Sequence, residues 1–207
     1  MEEILYDEIP SLDLENFYGG EERKKEQFLT RLGTAFHNIG FVAVRNHFLR
    51  DALQEKLYTA IRDFFALPDH VKARYERTDL AGQRGYTGKG KEHAKGRNTG
   101  DLKEFYHIGQ ELPEAQLVKE GYPANIWPSE VPELKTVAVE AYHALEKTGA
   151  SLLRAIALYL RLPENYFDDR IANGNSILRP IHYYPIDQPD EVPSDAVRAA
   201  EHGDINL

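Results

Sequence analysis

Cysteine is absent from the 207-residue chain, which excludes disulfides, thiolate metal sites, iron–sulfur clusters and cysteine nucleophiles. Long apolar runs are lacking as well. The most apolar stretch, residues 151–162, contains Arg154 and Arg161 and is far shorter than the ~20 residues that span a bilayer. The opening MEEILYDEIP holds four acidic residues in ten, with no basic or apolar region of the kind a secretory leader needs. Positive charge is in deficit: 25 Lys and Arg against 34 Asp and Glu leave a net charge of −9. Such a chain has few cations with which to displace counterions, so neither nucleic acid nor a membrane is expected as a partner. The expected location is cytoplasmic. None of the serines (Ser11, Ser129, Ser151, Ser176, Ser194) lies in the G-x-S-x-G setting that exposes a nucleophile.

What remains is an ordinary globular composition, 42% hydrophobic and 29% charged, with 15 Gly and 11 Pro. Ile9–Leu14 alternates apolar and polar residues after a proline and predicts a short strand. From Glu21, Phe28, Leu29, Leu32, Ala35, Phe36 and Ile39 recur at helical steps until Gly40 stops them. Phe41–Val44 reads as a buried strand, and Leu53 to Phe65 as a second amphipathic helix. Pro68 ends that helix and opens a shorter one through Tyr75. Glu104–Ile108 reads as a strand. A long helical pattern runs from Pro132 past Leu160, with Gly149 inside it, and Pro163 closes it. Ile177–Tyr184 and Glu201–Leu207 are further strand candidates. Two regions are expected: residues 1–120, helical with strands, and residues 121–207, holding the long helix and the start of a β-rich core.

Residues 79–100 stand apart, with six of the fifteen glycines and five Lys or Arg against two acids. Gly85–Lys91 fits G-x-x-x-x-G-K, but Glu92 follows where a phosphate loop needs Ser or Thr, and its charge would repel phosphate. A loop bordering a site, or a solvated connector, fits better. His202-Gly-Asp204 is the sharpest constellation. Residues two apart on a strand share a face, so an imidazole and a carboxylate can lean toward one ion, a donor pair suited to non-haem Fe(II). Alone, H-x-D is a weak pattern. Upstream, Leu178, Pro180, His182 and Tyr184 share one strand face and Arg179, Ile181 and Tyr183 the other. Among the remaining histidines, His47 reads as structural and His37 and His143 as partly buried helix residues, while His107 is a candidate for facing a cavity. Tyr75, Tyr86, Phe105 and Tyr106 read as packing.

At these residues the sequence resembles the isopenicillin N synthase-like Fe(II)/2-oxoglutarate-dependent oxygenases. Ile9-Pro-Ser-Leu-Asp-Leu14 is similar to the family's I-P-x-x-D-L, and Gly40–His47 to its G-F-F-x-V-x-N-H. Phe64–Pro68 resembles F-F-x-L-P, Gly85-Tyr86 with Asp101–Phe105 the G-Y and D-x-K-E-x segments, and Tyr183-Tyr-Pro185 the Y-Y-P. The resemblance implies an α+β fold with a distorted double-stranded β-helix (jelly-roll), its barrel incomplete in this chain. It implies His202 and Asp204 as two of three iron ligands and Tyr184 as a residue binding 2-oxoglutarate or substrate. His182 stands where many members have Asn. The implied activity is hydroxylation, desaturation or ring closure of a small organic molecule with molecular oxygen, Fe(II) and 2-oxoglutarate. The distal His and R-x-S of the family have no counterpart before Leu207, so the activity is expected to need further sequence, and these residues alone to bind Fe(II) weakly. The alternative is a shortened, non-catalytic relative acting as a binding module.

Overall fold

A computed structural model describes residues 8–80, 82–92, 99–186, 192–193 and 196–199. The chain divides into two compact units, Met1–Glu55 with Glu140–Gly174, and Lys56–Val139 with Asn175–Leu207.

The first unit is built on a strand–helix–strand arrangement. Strand β1 (Ser11–Asp13) is followed by helix α1 (Glu15–Tyr18) and α2 (Glu22–Asn38), and β2 (Ala43–Arg45) pairs parallel to β1 with Ser11 opposite Ala43. Gly40, at φ 78°, turns the chain from α2 toward β2, a conformation that glycine adopts without the Cβ penalty. Leu12, Leu14, Phe17, Phe28, Leu32 and Ala155 form the core, with Val42 and Val44 packed against it. β2 is therefore not the buried strand its apolar run implies. Ala43 and Arg45 face solvent, and Phe41 just before it is 66% exposed. A two-stranded sheet has only one side to cover, so alternate residues of β2 remain outside. Helix α6 (Glu133–Tyr159) runs unbroken through Gly149, next to which a Cβ would meet nothing. In this unit Tyr18 donates to Ser151 Oγ at 2.5 Å, and Arg154 forks onto the Asp168 carboxylate of α7 (Asp168–Ile171) at 3.1 and 2.7 Å. His37 and His143 are exposed rather than partly buried: each lies off the apolar stripe of its helix.

The second unit contains the end of α3 (Asp51–Phe65), the short α4 (Asp69–Lys72) and α5 (Glu114–Glu120), and a three-stranded antiparallel sheet ordered β3 (Gly85–Thr87), β4 (Glu104–His107), β5 (Ile181–His182). β3 lies inside the glycine-rich segment that reads as a loop. Gly85 takes φ 80°, and a Cβ there would come 2.5 Å from the Tyr75 carbonyl oxygen, so glycine is what admits the strand. Tyr86 pairs with Tyr106, and Glu104 with His182. β5 is shorter than Ile177–Tyr184, because Pro180 cannot donate to the ladder; upstream of it a single bridge joins Leu178 to Ile108. Phe64 packs edge-on against Tyr75, Tyr86 and Tyr106, with centroids 6.0, 5.7 and 4.8 Å away. Among the described residues the sheets do not close into a barrel, and no helix is long and apolar enough to cross a membrane.

Candidate functional site

Strand alternation gives the three-stranded sheet two unlike faces, both polar. On one, Glu104 is fully enclosed, yet its carboxylate is well supplied with donors. Lys72 Nζ approaches Oε2 at 2.7 Å, the Tyr86 hydroxyl donates to the same oxygen, and His182 Nδ1 lies 2.7 Å from Oε1. Lys72 is itself buried and also donates to the Phe65 carbonyl at 3.3 Å. Burial opposes ionisation of Glu104, but Lys72, Tyr86 and His182 outweigh it and hold the carboxyl below its usual range. Burial and the Glu104 charge push the Tyr86 phenol up, so it stays a donor. The His182 ring stacks on Phe65, centroids 5.1 Å apart and 28° between planes.

Tyr184 lies two residues beyond His182, past the end of β5. It is half-buried, Lys89 Nζ lies 4.9 Å from its ring centroid, and Arg198 donates to its carbonyl at 3.0 Å. Burial and then the Glu104 charge raise its phenol above the ordinary value. Lys89 and Lys91 of the glycine-rich segment are tied to acids, Lys89 to Asp69 at 3.7 Å and Lys91 to Glu76 at 2.5 Å.

The opposite face carries a chain of alternating charge: Asp101, Lys103, Glu92 and Arg179, with contacts of 2.9, 2.6 and 3.1 Å. Arg179 Nε then donates to His107 Nε2 at 2.5 Å, while His107 Nδ1 meets the Gly82 carbonyl at 2.6 Å. An arginine can only donate, so Nε2 is the acceptor and the proton sits on Nδ1. Burial foremost, and the Arg179 charge with it, lower the His107 pKa, against the Gly82 hydrogen bond. With both nitrogens engaged, this histidine has no atom left for a ligand.

Of the residues singled out in the sequence, Tyr184 and His182 come to one side of the sheet. His202 and Asp204 lie outside the described residues. Among the described residues no three His, Asp or Glu side chains group so as to hold a metal ion. Sequence reasoning missed Lys72 and Tyr86 as partners of Glu104. The alternation of Glu104 and Tyr106 with Phe105 and His107 was the available signal, since an acid in an enclosed strand needs donors beside it.

Comparisons with known proteins agree with this architecture. Residues 9–130 match the family described as non-haem dioxygenase in morphine synthesis N-terminal. A 2OG-Fe(II) oxygenase family protein from Caulobacter crescentus is similar in structure, with a TM-score of 0.80 and 36% identity over 96% of this chain and 61% of its own. A full-length Neurospora crassa protein, solved in complex with alpha-KG, gives a TM-score of 0.79 and 27% identity over 95% of this chain and 61% of its own. A 2-oxoglutarate-Fe(II) type oxidoreductase of Metarhizium rileyi is 28% identical over 95% of this chain and 58% of its own length. The chain thus spans about three fifths of the length of these relatives. With more than half of its residues matched, the chain belongs to this non-haem dioxygenase family, among the isopenicillin N synthase-like 2-oxoglutarate oxygenases.

Proposed function

We propose that the protein carrying this chain is a non-haem Fe(II)- and 2-oxoglutarate-dependent oxygenase that oxidises a small organic molecule with molecular oxygen. The observation that supports the reading is structural likeness to 2OG-Fe(II) oxygenases over nearly the whole chain. In this reading residues 1–120 are the amino-terminal helical and strand region, and residues 121–207 supply the long helix and the first part of a jelly-roll core.

His202 and Asp204 would hold the iron. An imidazole and a carboxylate are a donor set suited to Fe(II), and neither described histidine of the sheet competes through Nδ1, which Gly82 or Glu104 already occupies. Bound iron would supply oxygen activation for attack on a C–H bond, with 2-oxoglutarate consumed alongside. The chain's own part is placement. Tyr184 would donate its phenol to a carboxylate of 2-oxoglutarate or of the substrate from its half-buried position.

The test is anaerobic Fe(II) titration of the full-length gene product, followed by oxygen uptake and succinate release with 2-oxoglutarate. Stoichiometric iron binding and succinate formation are expected, with iron affinity lost in His202→Ala and Asp204→Ala. Unchanged affinity in both variants would remove the metal assignment.

A further inference from the structure

The two histidines of the three-stranded sheet are committed differently. His107 has both ring nitrogens engaged, by the Gly82 carbonyl and by Arg179. His182 has only Nδ1 engaged, and among the described residues nothing takes its Nε2. Because an ionised carboxylate can only accept, Glu104 places the proton on Nδ1 and leaves the Nε2 lone pair unused.

Three features set this ring apart from a merely buried pair. Glu104 is fully enclosed while the His182 side chain remains 36% exposed, so the open edge of the ring is the one turned away from the carboxylate. Stacking on Phe65 fixes the plane of the imidazole. Lys72, at 2.7 Å, pairs with the other oxygen of Glu104 and leaves Oε1 to the imidazole. Cations surround the position: Lys72 behind the carboxylate, Lys89 over Tyr184, and Arg198 on the Tyr184 carbonyl, with Asp69 as the further acid beside Lys72 and Lys89.

We propose that Glu104 and His182 form a carboxylate–imidazole dyad whose Nε2 is the hydrogen-bond and proton acceptor for a small-molecule ligand bearing a hydroxyl or N–H group. The inference deepens the oxygenase reading and rests on it for the presence of such a ligand on the Tyr184 side of the sheet. A site with a preset acceptor rejects an isostere that lacks the donor, because the acceptor would then be left dry and unpaired.

The experiment is carbethoxylation of the full-length protein with diethyl pyrocarbonate, which attacks unprotonated, accessible imidazole nitrogen, mapped by mass spectrometry. His182 is expected to react roughly tenfold faster than His107, and Glu104→Gln to slow His182 while leaving His107 unchanged. Nitrogen NMR of the wild-type imidazoles reads the tautomer without any substitution: Nδ1–H is expected at His182, and Nε2–H overturns the dyad even if Glu104→Gln does not fold. For the ligand, thymine is compared with 1,3-dimethylthymine, which has no N–H left, as a protectant of His182. Protection by thymine and none by the dimethylated form is expected. No difference between the two overturns the ligand class. Binding of 2-oxoglutarate by the wild type, measured calorimetrically, is read separately: its absence sinks the oxygenase reading, whereas slow reaction of His182 in a protein that binds it sinks this one.

Discussion

Glu104 and Lys72 show what a fully enclosed ion pair demands of its neighbours. Neither residue can reach water, so each depends on groups the fold supplies: Tyr86 and His182 for the acid, Asp69 and the Phe65 carbonyl for the base. Removing one partner leaves the other charged and unsatisfied. Lys72→Met is therefore expected to destabilise the second unit by about 3–5 kcal/mol, read from a denaturant midpoint. Lys72→Met combined with Glu104→Gln should cost clearly less than the two single changes added together; strict additivity would show that the charges do not interact. Tyr184 belongs to a different class: its ring lies under Lys89, a contact Phe keeps, and no described side chain hydrogen-bonds its hydroxyl. Tyr184→Phe should leave the midpoint unchanged and weaken 2-oxoglutarate or substrate binding by ~1 kcal/mol or somewhat more, through loss of one hydrogen bond to a charged group. A lowered midpoint with unaltered binding would make it structural instead.

At the scale of elements, two glycines predict opposite outcomes. Gly85 opens β3 at positive φ under the Tyr75 carbonyl, so Gly85→Ala should cost roughly 2–4 kcal/mol and loosen the β3–β4 pair. Gly149 sits inside α6 with open space beside it, and Gly149→Ala should stabilise by up to about 1 kcal/mol through helix propensity. Thermal melts of both variants check the signs. The same pair shows what a sequence can reveal. Helices α2, α3 and α6 announce themselves because a stripe of Leu, Phe and Ala repeating at helical steps is a one-dimensional signal. β3 does not, since three residues stitched into a glycine-rich stretch carry no period. Its existence depends on Tyr106 and its neighbours arriving from twenty residues away. The site was legible to the same degree. His182 lies in the part of the expected strand that forms, Tyr184 two residues past its end, and Glu104 within a recognisable motif. Lys72 could not be found, because a lysine in a short helix looks like any solvated lysine until the sheet encloses it.

For the molecule as a whole, acid is the condition to watch. Burial lowers the pKa of His107, so its neutral form stabilises the fold at neutral pH, and that contribution falls away as pH drops below the unfolded value of about 6.5. Glu104 follows the same sign for a different reason. Its folded pKa lies below the unfolded one despite burial, because Lys72, Tyr86 and His182 favour the charged form, so its contribution is complete at neutral pH and is lost below the ordinary carboxylate range. Unfolding midpoints measured from pH 7 to pH 3 should fall in two stages, and His107→Gln should flatten the first. A midpoint that rises on acidification would contradict both assignments.

The order of the three-stranded sheet also carries a history. β4 pairs with β3, close behind it in the chain, and with β5, which lies beyond the whole of α6. On a ribosome adding roughly 5–20 residues per second, the 75 residues from His107 to His182 take about 4–15 s to be made. Throughout that interval one flank of β4 is an open edge, and Glu104 must be held by Lys72 and Tyr86 without its histidine. The nascent chain therefore passes through a stage with an unpaired strand edge, the kind of surface that invites a chaperone or a neighbouring chain. Stalled chains ending shortly before Ile181 should be the ones most often found bound to either.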